Sequence, residues 1–267
     1  MNPDTQSEYA ARIDLVCALR SAERLGLAEG VCNHFSLALP GRSGQFLINP
    51  QGLHWSEVLP EDLVIVDGEG RQLSGRHRVE PTAFFIHGRI HHASPRAQCV
   101  LHTHMPYATT LTVLDGGELA WASQNALRFH GRVAYERAYN GLALDAGEGD
   151  RLAASVRDAD VIFLANHGVI VCGPSVAYAF DDLYYLERAC MLQVLAQGQL
   201  AAEGDGLCLG RIAHQRKQVV AGETRLIGQA LAAEAHVQQP PQRGGGGGQR
   251  QRPGHRSEEH TSELQSH

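Results

Sequence analysis

Tyr9, Ile13, Val16 and Cys17 recur at helical spacing, which predicts a helix from about Thr5 to Leu25, with Gly26 as its stop. Short apolar runs follow at Phe35 to Leu39, Phe46 to Ile48 and Leu63 to Val66, separated by Pro-Gly, Asn-Pro and Asp-Gly turn signals, and these read as strands. Pro81 to Ala93 returns to helical spacing through Phe84, Phe85, Ile86 and Ile90, with Pro95 just beyond. Val100 to His104 then reads as a strand and Tyr107 to Leu114 as a helix. Val161 to Ala165 is a buried-strand run that ends at Asn166, His167 and Gly168, and Val169 to Cys172 is its return strand. Pro174 opens a last helix that carries on to about Ala196. Strands and helices interleave, so the pattern predicts one α/β domain over residues 1–236.

The composition of the 267 residues, 43% hydrophobic and 19% charged, is that of an ordinary globular chain. A net charge of -6 argues against a nucleic-acid surface or a basic membrane patch and leaves a small molecule or another protein as the expected partner. The six cysteines form no Cys-x-x-Cys pair, which removes zinc knuckles and redox motifs. The first residues lack the basic and apolar regions of a signal peptide, and no apolar run has membrane-spanning length, so a cytoplasmic location is expected. Residues 237–255, rich in Gly, Gln, Arg and Pro, bury too little apolar surface to order and are expected to be a disordered tail. Residues 256–267 match an in-frame translation of a sequencing adapter at every position and are excluded from functional reasoning.

His102 and His104 sit at a strand's two-residue period, so both imidazoles point to one side and can close on one ion. With 15 histidines in 267 residues, about one His-x-His arises by chance, so the pair needs context. His167, at the end of an apolar strand and followed by a glycine that permits close approach, is the candidate third donor; a turn-capping role is the competing reading. Three histidines without a fourth protein ligand leave coordination positions for water or substrate, the pattern of catalytic sites.

The runs His102–Ala108 and Leu164–Gly168 together resemble the class II aldolase and adducin family, and the resemblance extends to Glu29–Ser36, Leu47–Gly52 and Pro81–His87. It covers about Tyr9 to Gln199 in the same order and spacing. It implies a three-layer α/β/α sandwich with a largely antiparallel central sheet, usually a homotetramer with active sites between subunits. It also implies that His102, His104 and His167 hold a divalent metal, normally zinc, with iron or manganese as alternatives. Asn33, Gly52 and Thr82 are the implied substrate-binding positions. A tyrosine given by a neighbouring subunit is a further family feature, for which Tyr135 and Tyr139 are both candidates.

The chain departs from the family where its sugar-phosphate aldolases have a Ser-Ser-Glu run, reading Pro81, Thr82 and Ala83 instead. Alanine can neither move a proton nor touch a metal, and Pro81 offers a phosphate neither hydroxyl nor N–H. Glu80, one turn earlier, reads as a charge at a helix start. The resulting expectation is a metal-dependent lyase acting by retro-aldol cleavage or decarboxylation on a small, non-phosphorylated hydroxy- or oxo-acid. A non-haem iron oxygenase and a non-catalytic, adducin-like assembly module are the alternatives. The remaining histidines, among them His34, His87 and His91, read as surface or packing residues.

Overall fold

The computed structural model describes residues 3–138, 146–156 and 159–202. Tyr139, the end of the expected domain and the segments at 237–255 and 256–267 lie outside the described residues. Helix α1 (Pro3–Arg24) leads into β1 (His34–Ala38), β2 (Gln45–Ile48), a turn of 3-10 helix (Pro60–Asp62), β3 (Val64–Asp67) and β4 (Gln72–Ser74). Helix α2 (Pro81–Ala93), β5 (Cys99–Thr103), α3 (Pro106–Thr112), α4 (Gln124–Leu127), β6 (Val133–Glu136), α5 (Ala146–Ser155), β7 (Val161–Leu164), β8 (Gly168–Gly173) and α6 (Val176–Ala202) complete it.

The strands form one sheet in the order β4-β3-β2-β1-β5-β8-β7-β6, antiparallel throughout except between β6 and β7. β5, β7 and β8 are buried along their whole length, because helices cover both faces. On one face Leu15 and Leu19 of α1 and Leu183 and Leu186 of α6 pack on Phe35, Leu37, Leu101, Phe163 and Val171. On the other face α2 and α5 bring Ile86, Ile90, Leu152 and Val156 against Val100, Ile162, Ile170 and Cys172. The expected α/β/α sandwich is therefore present.

Several local expectations are corrected. The buried stripe of α1 runs through Ala11, Leu15, Ala18, Leu19 and Ala22, while Tyr9 and Cys17 face solvent. Small alanines let the helix lie close to its neighbours, and a pattern weighted by bulky residues misses them. Helix α6 starts at Val176 rather than Pro174 and extends to Ala202. β4, β6, α4 and α5 carry weak patterns and were not expected: β4 is exposed throughout, and β6 is held by its parallel ladder to β7.

Strand alternation decides which face each chemical group serves. Ser36 and Val100, a register pair, point toward α2, and so do His34 and His102, the next pair along the same strands. Both histidines lie at the end of the sheet from which α2 starts. Just beyond β5 the chain enters α3, whose first N–H groups, those of Tyr107 and Ala108, donate to the buried carboxylate of Glu187 on α6 at 2.8 and 2.9 Å. That bond pair fixes the path of the chain immediately after His104.

Candidate metal centre

His102 is the penultimate residue of β5, His104 sits one residue past the strand, and His167 occupies the tight turn between β7 and β8. The turn is closed by the His167 N–H donating to Leu164 at 3.1 Å and by Asn166, at φ 55, the one non-glycine in the left-handed region among the described residues. Gly168 follows because nothing larger fits: a Cβ there would lie 2.5 Å from the Thr103 carbonyl oxygen and 2.8 Å from the His104 ring. The β7–β8 turn is thereby laid directly against the end of β5. The three rings form a near-equilateral triangle, with centroids 5.0, 4.8 and 4.8 Å apart and ligating atoms all within 4.8 Å of one another.

The hydrogen bonds set the tautomers. The His102 Nδ1–H donates to the Val169 carbonyl at 3.0 Å, and the His104 Nδ1–H donates to the Glu29 carboxylate at 2.7 Å. Both Nε2 atoms are then bare, and they face each other at 3.2 Å. Two lone pairs at that distance repel unless a cation lies between them. Tetrahedral nitrogen ligands at 2.0–2.1 Å from zinc stand about 3.3 Å apart, so the spacing suits an ion of this kind. Burial, and after it the charges of neighbouring imidazoles, hold His102 well below its ordinary value and His167 down to about 4. Both are neutral donors at physiological pH.

Behind this triangle lies a column of histidines. His34 stacks on His102 with centroids 5.1 Å apart and meets His87 edge-on at 5.5 Å. The His91 Nδ1–H donates to the Ala97 carbonyl at 2.7 Å, so its Nε2 accepts from the Ser36 hydroxyl at 2.7 Å, and Ser36 in turn accepts from the His87 Nδ1–H at 2.6 Å. At its His91 end the column closes on a backbone carbonyl, which holds the rings in place. His34, His87 and His91 are packing residues, as expected, but His34 borders the three imidazoles through His102. Periodicity could not show this, because the contact is made across β1 and β5.

Burial lowers His87 well below its ordinary value, with the charges of His34 and His91 adding to it, and lowers His91 to about 4. Unfolded, both titrate near 6.5, so between pH 6.5 and 4 the unfolded chain binds protons the folded one refuses. Stability is therefore full above pH 6.5 and falls as pH drops through that window, His91 alone removing on the order of 2 kcal/mol by pH 5. Urea midpoints at pH 7 and pH 5 measure this; equal midpoints would refute it.

A cleft of about 360 Å³ opens beside the triangle, lined by Ala28, Glu29, His104, Thr109, Val113 and His167 among others. Asn33 is buried behind two of these lining residues, its side-chain oxygen accepting from the Glu29 N–H at 2.8 Å and from the His104 N–H at 3.5 Å. Its Nδ2 and the Thr109 hydroxyl are buried without hydrogen-bond partners among the described residues. Gly52, at φ +79, lies in a turn tied to the segment before α2 by the Gln51 N–H donating to Arg78 at 2.8 Å. Thr82 is in the first turn of α2, and its side chain lies outside the described residues. Ala83 is buried against the Phe46, Ile48, Val64 and Val66 cluster, so that position brings no carboxylate.

Tyr135 stacks on Phe163, and its hydroxyl oxygen accepts from the Leu119 N–H at 3.0 Å. It lines a separate cavity with Asn166 and the 112–117 segment, and within this chain it is not brought among the three imidazoles. Burial pushes its phenol up to about 12. Glu80 is more than a surface charge. It caps α2 by accepting from the Ala83 N–H at 2.9 Å, and the same oxygen lies 3.7 Å from His34 Nε2. Glu29, unremarked as a site residue in the sequence, is the outer partner of His104. Glu29→Gln is expected to weaken zinc binding about 10- to 100-fold, read by competition with a chromogenic chelator, and unchanged affinity would remove it from the site.

An α/β/α sandwich thus brings three imidazoles together at one end of its sheet, beside a cleft, as a group that could hold a metal ion. The Class II Aldolase and Adducin N-terminal domain profile matches residues 13–194, and the chain belongs to that family. An aldolase II superfamily protein from Pseudomonas syringae superposes with a TM-score of 0.70 at 32% identity, covering 86% of this chain and 95% of the other. The decarboxylase NovR of Streptomyces niveus is 31% identical over 197 residues, 72% of this chain and 73% of its own. A 4-hydroxy-3-prenylphenylpyruvate oxygenase/4-hydroxy-3-prenylbenzoate synthase of Streptomyces roseochromogenus is 31% identical over 204 residues, 75% of this chain and 73% of its own. No helix among the described residues is long and apolar enough to cross a membrane.

Proposed function

We propose that this protein is a divalent-metal-dependent carbon–carbon lyase acting on a small, non-phosphorylated hydroxy- or oxo-acid, by retro-aldol cleavage or decarboxylation. The observation that carries it is the pair of bare Nε2 atoms of His102 and His104 facing each other at 3.2 Å, with His167 closing the triangle. His102, His104 and His167 would hold the ion, zinc by preference with iron or manganese as alternatives, and when bound it would supply Lewis-acid polarisation of a substrate carbonyl. The substrate would lie in the cleft lined by Glu29, Thr109 and Thr110 beside His104 and His167. A relative named as a decarboxylase at 31% identity is consistent with this reading, since decarboxylation needs no carboxylate at position 83. Assembly as a homotetramer, with Tyr135 or Tyr139 presented to a neighbour's cleft, belongs to the same reading. The exposed Val113 and Leu114 beside the cleft are suited to a subunit contact.

The test is metal analysis of the purified protein followed by NMR detection of products from a panel of hydroxy- and oxo-acids with zinc, manganese or iron(II) supplied. One metal per chain and a cleavage or decarboxylation product support the lyase. The oxygenase named among the relatives supports a second reading, in which the same triad takes iron(II). Oxygen uptake with iron(II) and no lyase product would replace the first reading by the second.

A further inference from the structure

We propose that the outward face of α6 docks a second copy of this chain, the two helices pairing antiparallel about a two-fold axis at Tyr184 and Tyr185. This contact is independent of the reaction at the metal centre. α6 is 27 residues long, about 40 Å. Its inward side buries Ala179, Leu183, Leu186, Ala189 and Cys190. On the opposite side Ala177, Asp181, Tyr184, Arg188, Leu192 and Leu195 follow one another at three- and four-residue intervals and form one seam. Leu192 and Leu195 are 47% and 54% exposed, and Tyr178 at the edge of the seam is as open as they are. From Met191 to Ala202 the helix has no charged residue, and from Met191 to Gln199 none of its residues is buried. A solvated helix face is normally charged, whereas this one has the aromatic, Met and Arg composition of a protein–protein interface.

The seam is complementary to itself. Turning one helix end for end about a point between Tyr184 and Tyr185 sets Arg188 opposite Asp181 of the second copy, Leu192 opposite Ala177, and Tyr184 beside its own counterpart. Arg188 makes no salt bridge among the described residues; it donates to the Met191 Sδ at 3.6 Å and lies 5.8 Å from the Tyr184 ring. Asp181 is paired with Arg128 and still keeps 55% of its side chain exposed, so it can take a second cation. The antiparallel pairing therefore joins opposite charges twice. A parallel pairing would set Arg188 against Arg188 and Asp181 against Asp181, and like charges so placed repel.

A cavity stands where the leucine of the second copy arrives. At the start of α6 a mostly apolar space of about 290 Å³ is lined by Cys17 and Ala18 of α1 and by Ser175, Val176, Ala177 and Phe180, among others. Ala177 and Leu195 are about five helical turns apart and so lie on the same flank of α6. A two-fold axis perpendicular to both helices keeps that flank on its own side, so Leu195 of the second copy reaches this cavity while Leu195 of this chain enters the equivalent one. The contact is thus closed and isologous, with one leucine inserted in each direction. That reciprocity is what selects a second copy over an unrelated partner, which would have to match the charge pair and the cavity separately.

The experiment is sedimentation velocity on the full chain between about 1 and 100 μM, with the far-UV circular dichroism spectrum as the control on folding. Expected are an assembled unaltered protein and, in Leu195→Asp and in the surface variant Arg188→Glu, self-association at least about tenfold weaker with an unchanged spectrum. Tyr184→Cys tests the register: its thiol meets its counterpart beside the axis, so mild oxidation yields a covalent dimer. Gln199→Cys, about 40 Å from its counterpart across the same axis, yields none beyond that of the unaltered protein. A monomer at the highest concentration would overturn the contact, and slow thiol labelling of Tyr184→Cys in that monomer would give the face to a later segment of the same chain. Self-association within about threefold of the unaltered protein in both charge-bearing variants would also overturn it, placing the subunit contact elsewhere. A covalent dimer from Gln199→Cys and none from Tyr184→Cys would refute the antiparallel register.

Discussion

His102→Ala and His167→Ala are each expected to take the protein from one bound divalent ion per chain to none after dialysis against micromolar zinc. His102 supplies a fully buried donor whose tautomer is set by the Val169 carbonyl, and no other imidazole can replace it, since His34 stacks on its face. His167 comes from a separate turn, so its loss leaves only the His102 and His104 pair. Two imidazoles leave an ion mostly to water, and affinity collapses. The readouts are metal content by elemental analysis and the metal-dependent rise in melting temperature. Zinc at 100 times its dissociation constant stabilises the unaltered protein by about 2.7 kcal/mol, and the variants should gain almost nothing. A full metal complement in either variant would refute the triad.

The second large effect is expected at Gly168. A methyl group there meets the Thr103 carbonyl at 2.5 Å, a backbone atom that cannot swing aside, and the His104 ring at 2.8 Å. Gly168→Ala must therefore push the β7–β8 turn away from the end of β5, separating His167 from its two partners. A strained core substitution of this kind costs about 1–3 kcal/mol, and the displaced donor should weaken zinc binding by at least tenfold. Denaturation midpoints and zinc competition measure the two parts separately. A stable variant with unchanged zinc affinity would show that the turn does not position the site.

Both predictions depend on contacts between segments more than sixty residues apart. The strands at Phe35, Phe46, Val100, Val161 and Val169 could be read from the chain because each is a short apolar run ended by turn formers, and burial on both faces demands such runs. Helix α2 was bounded correctly from Pro81 to Ala93 by its proline start and its apolar spacing. The buried face of α1 was misplaced, because alanines do the packing there. β4 and β6 were missed because a strand of three or four residues is stabilised by its neighbour's ladder, which leaves little local trace.

The site divides in the same way. By itself the sequence determined that His102 and His104 lie two residues apart at a strand end, that His167 sits in a glycine-bearing turn, and that position 83 holds no carboxylate. Those are facts of residue type and local spacing. Only the tertiary structure decided that the ligating atoms of the three rings lie within 4.8 Å of one another, that the Val169 carbonyl and Glu29 set the tautomers of His102 and His104, and that His34 stacks on His102. The reason is physical: a sheet's register and a helix's placement on it are settled by packing across the whole core, and a side chain's neighbours follow from that register rather than from its place along the chain.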